Sequence, residues 1–307
     1  MIKVDSLSKR YGRVLAVDNI SFNIEKGEVV GLLGPNGAGK TTTMKMLTSF
    51  LPCTAGRITV DGLDVFGDSL KVRQRIGYLP ENCPLYMDME VEQFLKFCAE
   101  IRGIDSSKRK KAVDKMIAEC DLKKVTHKII SHLSKGYRQR VGLAQAMIHD
   151  PDILIMDEPT SGLDPNQIRD ILNLINNLGQ QKTVIHSTHI LTEAESTSKR
   201  ILIINNGKIV GEGTPEQLSA QSAGTAVFAA IKGEDVQAKL EAVDFIKDVS
   251  KTKDADDGYV QYAMHGQSED SIAEDVFKLA VTNGWVINEL HTQKASLEDV
   301  FARLTRG

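Results

Sequence analysis

No apolar run in this sequence approaches the roughly 20 residues that a bilayer-spanning helix needs, and the opening MIKVDSLSKRYG lacks the apolar core of a signal peptide. A cytosolic chain is the expectation, with any membrane role left to a separate membrane subunit. Charge of one sign is equally scarce: 38 Lys and Arg stand against 41 Asp and Glu, a net charge of −3 that offers no general attraction for a polyanion. No nucleic acid partner is expected, because such a role would need a local patch. The four cysteines, Cys53, Cys83, Cys98 and Cys120, show neither a CxxC pair nor a disulfide framework, which is the usage of a reducing compartment. They read as free thiols. Disorder is excluded too, since 41% hydrophobic residues over 307 positions suffice for one large or two modest domains.

What is present is an ordered succession of strand and helix patterns. The chain opens with strand-like segments, MIKVDSLSKRYG and AVDNISFNIEKGE, then the buried-looking run EVVGLLG. Met44, Leu47 and Leu51 recur at helical spacing after it. GRITVDGLDV reads as a hairpin, RQRIGYLPEN as a strand ended by Pro80, and Val91 to Asp121 as charged helix. The basic cluster Lys108 to Lys111 with Lys115 reads as a solvated face of that helix rather than a binding patch. DILIMDEP is a short continuous apolar run closed by two acids, the pattern of a parallel strand buried on both faces. TVIHSTH follows a helix over Ile168 to Leu178, and RILIINNGKIVGEG comes next, so strands separated by helices predict an α/β core with a largely parallel sheet. After GTPEQLSAQSAG the pattern restarts as β-α-β-β-α-β plus a last amphipathic helix, a small ferredoxin-like α+β arrangement. The boundary is expected between Ser219 and Ala226, giving domains 1–220 and 221–307.

The strongest chemical signal is Gly34 to Thr41, GPNGAGKT, which fits G-x-x-x-x-G-K-[ST] with an apolar strand before it and a helix after it. Glycines at Gly34, Gly37 and Gly39, with Pro35, Asn36 and Ala38 between them, let backbone N–H groups curl around phosphate oxygens, and the helix N-terminus adds partial positive charge. Lys40 is expected to reach the β- and γ-phosphates, Thr41 to ligate Mg²⁺ and Thr42 to donate to the α-phosphate. Asp157 closes the apolar strand ILIMD at the sheet edge where that loop also ends, so it is expected to hold Mg²⁺ directly or through water. Its neighbour Glu158 is then placed to orient or deprotonate the water that attacks the γ-phosphate.

Between the loop and DEP stands LSKGYRQR, Leu133 to Arg140, and beyond them SGLD and STH. Together these motifs resemble the nucleotide-binding domain of the ATP-binding cassette (ABC) family, over roughly residues 1 to 220 and in the family's order. The resemblance implies a P-loop NTPase cassette with a helical subdomain and ATP with Mg²⁺ as its ligands. It implies that Tyr11 of KRYG stacks on adenine, its alternative being a core tyrosine at a strand end. Ser134 and Gly136 would contact the γ-phosphate on another subunit's P-loop in a head-to-tail dimer, Asp164 would couple the two sites, and His189 would sense the γ-phosphate. His186 is expected to be a structural neighbour. The C-terminal part, ending SLEDVFARLT, resembles the extension on many bacterial ABC-2-type export subunits, including those of gliding motility.

Three departures from the family pattern matter. The signature reads LSKGY where the family usually has LSGGQ, so Lys135 replaces a glycine and Tyr137 a glutamine. Glu81 in GYLPEN stands where a glutamine commonly touches Mg²⁺ and the attacking water; a carboxylate accepts the same contacts but adds negative charge there. Only one cassette is present, so a dimer needs a second chain, and an intact Glu158 makes a homodimer sufficient. The expected partner is a polytopic membrane permease that holds the cassette on the inner face of the membrane. Pro84, Leu85, Tyr86, Met87 and Met89 offer either a surface for that partner or part of the helical subdomain's own core. The rival reading is a soluble ABC ATPase acting on DNA or ribosomes, but the interval of about 90 residues from Lys40 to Leu133 carries no sustained heptads. For the C-terminal domain, a dimerisation or partner-contact module is favoured over a metabolite sensor, whose only aromatic candidates are Trp285, Tyr259 and Tyr262.

Overall fold

The computed structural model describes residues 1–221, 226–254, 258–266, 272–293 and 297–305, in two compact units, Met1–Thr214 and Pro215–Gly307. The first opens with β1 (Ile2–Tyr11) and β2 (Val14–Ile24), an antiparallel pair, followed by β3 (Val29–Leu33) and α1 (Lys40–Leu47). With β4 (Ala55–Val60) and the short β5 (Leu63–Asp64), the first two strands form an antiparallel sheet in the order β2-β1-β4-β5. Then come α2 (Ser69–Arg75), β6 (Ile76–Leu79), α3 (Val91–Ile101), α4 (Ser106–Glu119) and α5 (Lys135–Met147). They are followed by β7 (Ile153–Met156), α6 (Pro165–Gly179), β8 (Thr183–Thr188), α7 (Leu191–Thr197), β9 (Arg200–Asn205) and β10 (Lys208–Gly213). The second sheet runs β10-β9-β3-β8-β7-β6 and is parallel except at its β10 edge.

The central strands β3, β7 and β8 of this sheet lack hydrophobic alternation because both of their faces are covered. Ile153 and Ile155 of β7 join the core shared with the antiparallel sheet and α1, while Leu154 and Met156 join the core built by α3, α4 and α5. Val184 and Ile185 of β8 divide in the same way. Each such side chain, fully buried, contributes on the order of 1.5–3 kcal/mol, so the sheet is fixed from both sides and its loop-bearing edge inherits that rigidity.

The charged stretch expected to be helical from Val91 to Asp121 is two helices. Gly103, at φ +73°, breaks the run, and Asp105 restarts it by accepting from Ser107 N–H at 2.9 Å. Its basic residues Lys108, Lys110, Lys111 and Lys115 are exposed, as a solvated face requires. The apolar segment before α3 divides: Leu85 and Met89 pack on the helical core, while Tyr86 is 55% and Met87 41% exposed. All four cysteines are free thiols, and burial pushes Cys83 up to about 12 and Cys98 up to about 11.

The second unit begins with α8 (Pro215–Gln221), which packs on the chain's last helix and whose Leu218 is fully buried, so its division from the first unit precedes the residues where the sequence places it. After it come β11 (Ala226–Lys232), α9 (Val236–Glu241), β12 (Ile246–Asp254), β13 (Val260–Gly266), α10 (Ala273–Thr282), β14 (Val286–Gln293) and α11 (Leu297–Thr305). Its sheet has the order β12-β13-β11-β14 with every neighbouring pair antiparallel, over a core that includes Val227, Ile231, Met264, Val276 and Trp285. No described helix is long and apolar enough to cross a membrane.

Candidate active site

The loop between β3 and α1 is held against the strands behind it. A Cβ on Gly34 would lie 2.2 Å from the Ile204 carbonyl oxygen, and Gly39, at φ +108°, would place one 2.5 Å from that of Ala16. Neither position admits a side chain. Lys40, 5% exposed, donates from Nζ to the carbonyls of Gly34 at 2.7 Å and Pro35 at 3.1 Å, and lies 3.2 Å from Glu158 Oε1. The ammonium is thus folded back over its own loop and faces the acids at the end of β7.

Those acids are placed by a second set of bonds. Thr41 Oγ1 donates to Asp157 Oδ1 at 3.2 Å, and Ser187 Oγ of β8 donates to the same oxygen at 2.7 Å. Ser187 Oγ also accepts from Glu158 N–H at 2.9 Å. Glu158 itself has φ +47°, a left-handed conformation costing a non-glycine residue about 1–2 kcal/mol. That turn points its carboxylate back between Lys40 and His189, whose Nδ1 is 2.8 Å from Glu158 Oε2. Asp157 Oδ2 is buried without a partner. A hard dication such as Mg²⁺ prefers oxygen donors and keeps several waters, and the Thr41 hydroxyl beside this unpartnered carboxylate oxygen fits it.

A cavity of about 380 Å³ opens on this group, lined by Asn36, Gly37, Gly39, Lys40, Thr41 and Thr42 on the loop side and by Glu81, Glu158 and His189 opposite. A second, of about 460 Å³, lies between α1 and the chain leaving β6, with Phe50, Tyr78, Pro84 and Arg102 among its lining residues. Thr41 and Glu81 line both. Glu81 therefore stands between the phosphate-loop cavity and the neighbouring groove. Tyr78, whose hydroxyl is buried without a partner, is held protonated: burial pushes its pKa up, and the Asp157 charge adds to the shift.

Other expected residues lie outside the loop cavity. Tyr11 is 46% exposed with Lys9 Nζ 5.4 Å from its ring centroid, and it is absent from the cavity lining. Ser134 caps α5, accepting from Tyr137 N–H at 3.3 Å; Asp164 caps α6, accepting from Asn166 and Gln167 N–H at 3.1 and 3.0 Å. Both are exposed. The two caps are neighbours, since a Cβ on Gly136 would lie 2.5 Å from Gln167 Oε1 and one on Gly162 would lie 2.3 Å from Lys135 Nζ. His186 is enclosed, with Nε2 2.9 Å from Ser198 Oγ and 2.8 Å from Thr197 Oγ1, a structural position. The sequence alone does not mark Ser187 or Glu193, whose bonds to Glu158, Asp157 and Thr160 cross about 30 residues of chain. The serine was visible only as part of STH.

A parallel sheet with a phosphate-type loop at its carboxyl edge after β3, and acids from the end of β7, two strands over, facing that loop's lysine, define a P-loop nucleotide triphosphatase. A family model described as ABC transporter matches residues 17–161, and one described as AAA domain, putative AbiEii toxin, Type IV TA system, matches 129–194. The probable multidrug ABC transporter ATP-binding protein YbhF of Escherichia coli (strain K12) is 39% identical over 73% of this chain, which spans only 39% of that protein's length. The Nod factor export ATP-binding protein I of Burkholderia pseudomallei (strain K96243) is 34% identical, covering 99% of this chain and 96% of its own. The solved structure of cbiO1 from Clostridium perfringens, part of the ABC transporter complex cbiONQ, is similar with TM-score 0.66 and 28% identity, over 72% of this chain and 91% of that one. The chain belongs to the ABC transporter family, among its ATP-binding subunits.

Proposed function

We propose that this chain binds MgATP at a head-to-tail dimer interface between two cassettes, hydrolyses it, and thereby powers a separate polytopic permease in export. The observation that carries this reading is the convergence of Lys40, Thr41, Asp157, Glu158 and His189 at one sheet edge. In it, Lys40 and the loop N–H groups hold the phosphates, while Thr41 and Asp157 hold Mg²⁺. When bound, the ion supplies charge neutralisation to the β- and γ-phosphates. Glu158, held within reach of His189, orients the attacking water and takes its proton; His189 keeps the carboxylate aimed and contacts the γ-phosphate. Ser134 and Gly136 of a second cassette complete the site, and the exposure of Ser134 at the N-terminus of α5 supports that assignment. Asp164 couples the two sites, and Tyr11 supports the adenine.

Bound phosphates draw the cassettes together and hydrolysis lets them part, so the chemistry becomes a clamp motion. The permease receives that motion through the groove beside Glu81, which Pro84 lines, a few residues before the exposed Tyr86 and Met87. Glu81, lining both cavities, tunes the rate or the coupling; Glu81→Gln with unchanged ATPase and unchanged transport removes that assignment. The second domain, residues 221–307 with α8, serves dimerisation or partner contact. The overall reading is tested by purifying the tagged chain from gently solubilised native membranes. A stoichiometric polytopic membrane protein is the expected companion, whereas ribosomal or DNA-bound partners without one overturn the transport function and leave the ATPase chemistry standing.

A further inference from the structure

Glu193, in the first turn of α7, is a carboxylate with 4% exposure that the reaction outlined above does not use. Its Oε2 accepts from Thr160 Oγ1 and from Thr188 Oγ1, each at 2.7 Å. Thr160 lies two residues after Glu158, and Thr188 lies directly before His189. The Thr188 oxygen also accepts from Ile190 N–H at 3.0 Å, so the turn that carries His189 is bonded on both sides of the imidazole. One carboxylate oxygen thus joins the two segments whose side chains meet at the reacting end.

Burying a carboxylate is costly unless its bonds are needed, and an apolar residue would fill the buried position without that cost. What the bonds supply is register. Glu158 holds an unfavourable backbone conformation at φ +47°, which persists only where the surroundings over-determine it. Ser187 fixes the segment from its N–H side, and Glu193 fixes it two residues on, at Thr160.

We propose that Glu193 is a positioning residue for hydrolysis: by clasping Thr160 and Thr188 on one oxygen, it holds the Glu158 and His189 segments at their 2.8 Å contact. The proposal rests on the roles assigned above to Glu158 and His189. Thr160→Val and Thr188→Val each remove one hydroxyl at almost constant volume. Each is expected to lower kcat for ATP about tenfold, the order set by losing one hydrogen bond, with KM unchanged. Thr160→Ser and Thr188→Ser restore it, and the double valine variant falls no further than Glu193→Ala. If Glu193→Ala fails to fold, the valine and serine variants carry the test.

Rates are measured on the full chain per mole of bound nucleotide. A valine variant with a lowered Tm but the parent's kcat per site reduces the clasp to a packing feature and overturns the proposal. Glu158→Gln run beside them separates the two levels of inference. If it keeps the parent's kcat, the reading of the site fails; if it loses activity while both valine variants keep theirs, only the clasp fails.

Discussion

Lys40, Asp157 and Glu158 are nearly enclosed and bonded across loops far apart in the chain, whereas Ser134 and Asp164 stand exposed and bond to their own helix N-termini. The contrast separates two kinds of functional residue. Enclosed groups are held at fixed distances by the sheet beneath them, and their geometry is complete within one chain. Exposed groups keep free directions for a ligand or a second surface, which is what the proposed dimer requires of the signature. Breaking the enclosed side should therefore cost chemistry in every assay. Breaking the exposed side should cost only what two cassettes do together. The largest expected effect is Glu158→Gln, which removes the proposed general base and lowers kcat by about 10²–10⁴. ATP binding is retained and a dimer accumulates, measured by light scattering under saturating ATP. A monomer under those conditions breaks the contrast at its root.

The enclosed side should also carry a pH signature that the exposed side lacks. Burial lowers the His186 pKa to about 4, opposed by the Glu158 charge, so the folded chain keeps this imidazole neutral while the unfolded chain protonates it nearer 6.5. Below the unfolded value the unfolded state binds more protons, so stability falls as the pH drops from about 6.5 towards 4 and is unaffected by this group above that window. The loss is on the order of a few kcal/mol; His186→Gln should flatten that part of the curve of Tm against pH. Ser134→Ala is a smaller change. Losing the α5 cap costs about 1 kcal/mol of stability, ATP binding by the isolated monomer stays at the parent's level, and turnover in the dimer falls about tenfold. Weakened ATP binding by the Ser134→Ala monomer would mean that the signature serves its own chain's site.

The same contrast accounts for how much of the fold and site is legible in the sequence. GPNGAGKT is legible because its requirements are local: a tight loop between a strand and a helix dictates small residues and one lysine within eight positions. The DILIMDEP run is legible because a strand covered on both faces must be continuously apolar. The clasp of Glu193 on Thr160 and Thr188 spans 33 and 5 residues, and the first distance leaves no periodic trace. The helices Ser69–Arg75 and Leu191–Thr197 escape for a different reason: seven residues make two turns, too few for a 3.6-residue period to stand out. Leu85 and Met89 read like Tyr86 and Met87 in the sequence; only the fold packs the first pair on the helical core and leaves Tyr86 half exposed over Phe94 and Phe97 of α3.

Lys135 tests the exposed side where the contrast is finest. It departs from the glycine of the family signature, begins α5 directly after the Ser134 cap, and places its ammonium against Gly162 on the turn before Asp164. A cation there lies in the region that the proposed dimer would turn towards a second cassette's phosphates and is exposed to solvent. Exposed charges contribute at most about 1 kcal/mol and are screened beyond roughly 8–10 Å at physiological salt, so Lys135→Gln should lower turnover by less than about fivefold. The salt dependence is diagnostic. Raising ionic strength should reduce the parent's rate towards that of Lys135→Gln, and the two curves should meet. Parallel curves would show that this lysine acts through packing against Gly162, where φ is +68° and a Cβ would lie 2.3 Å from Nζ.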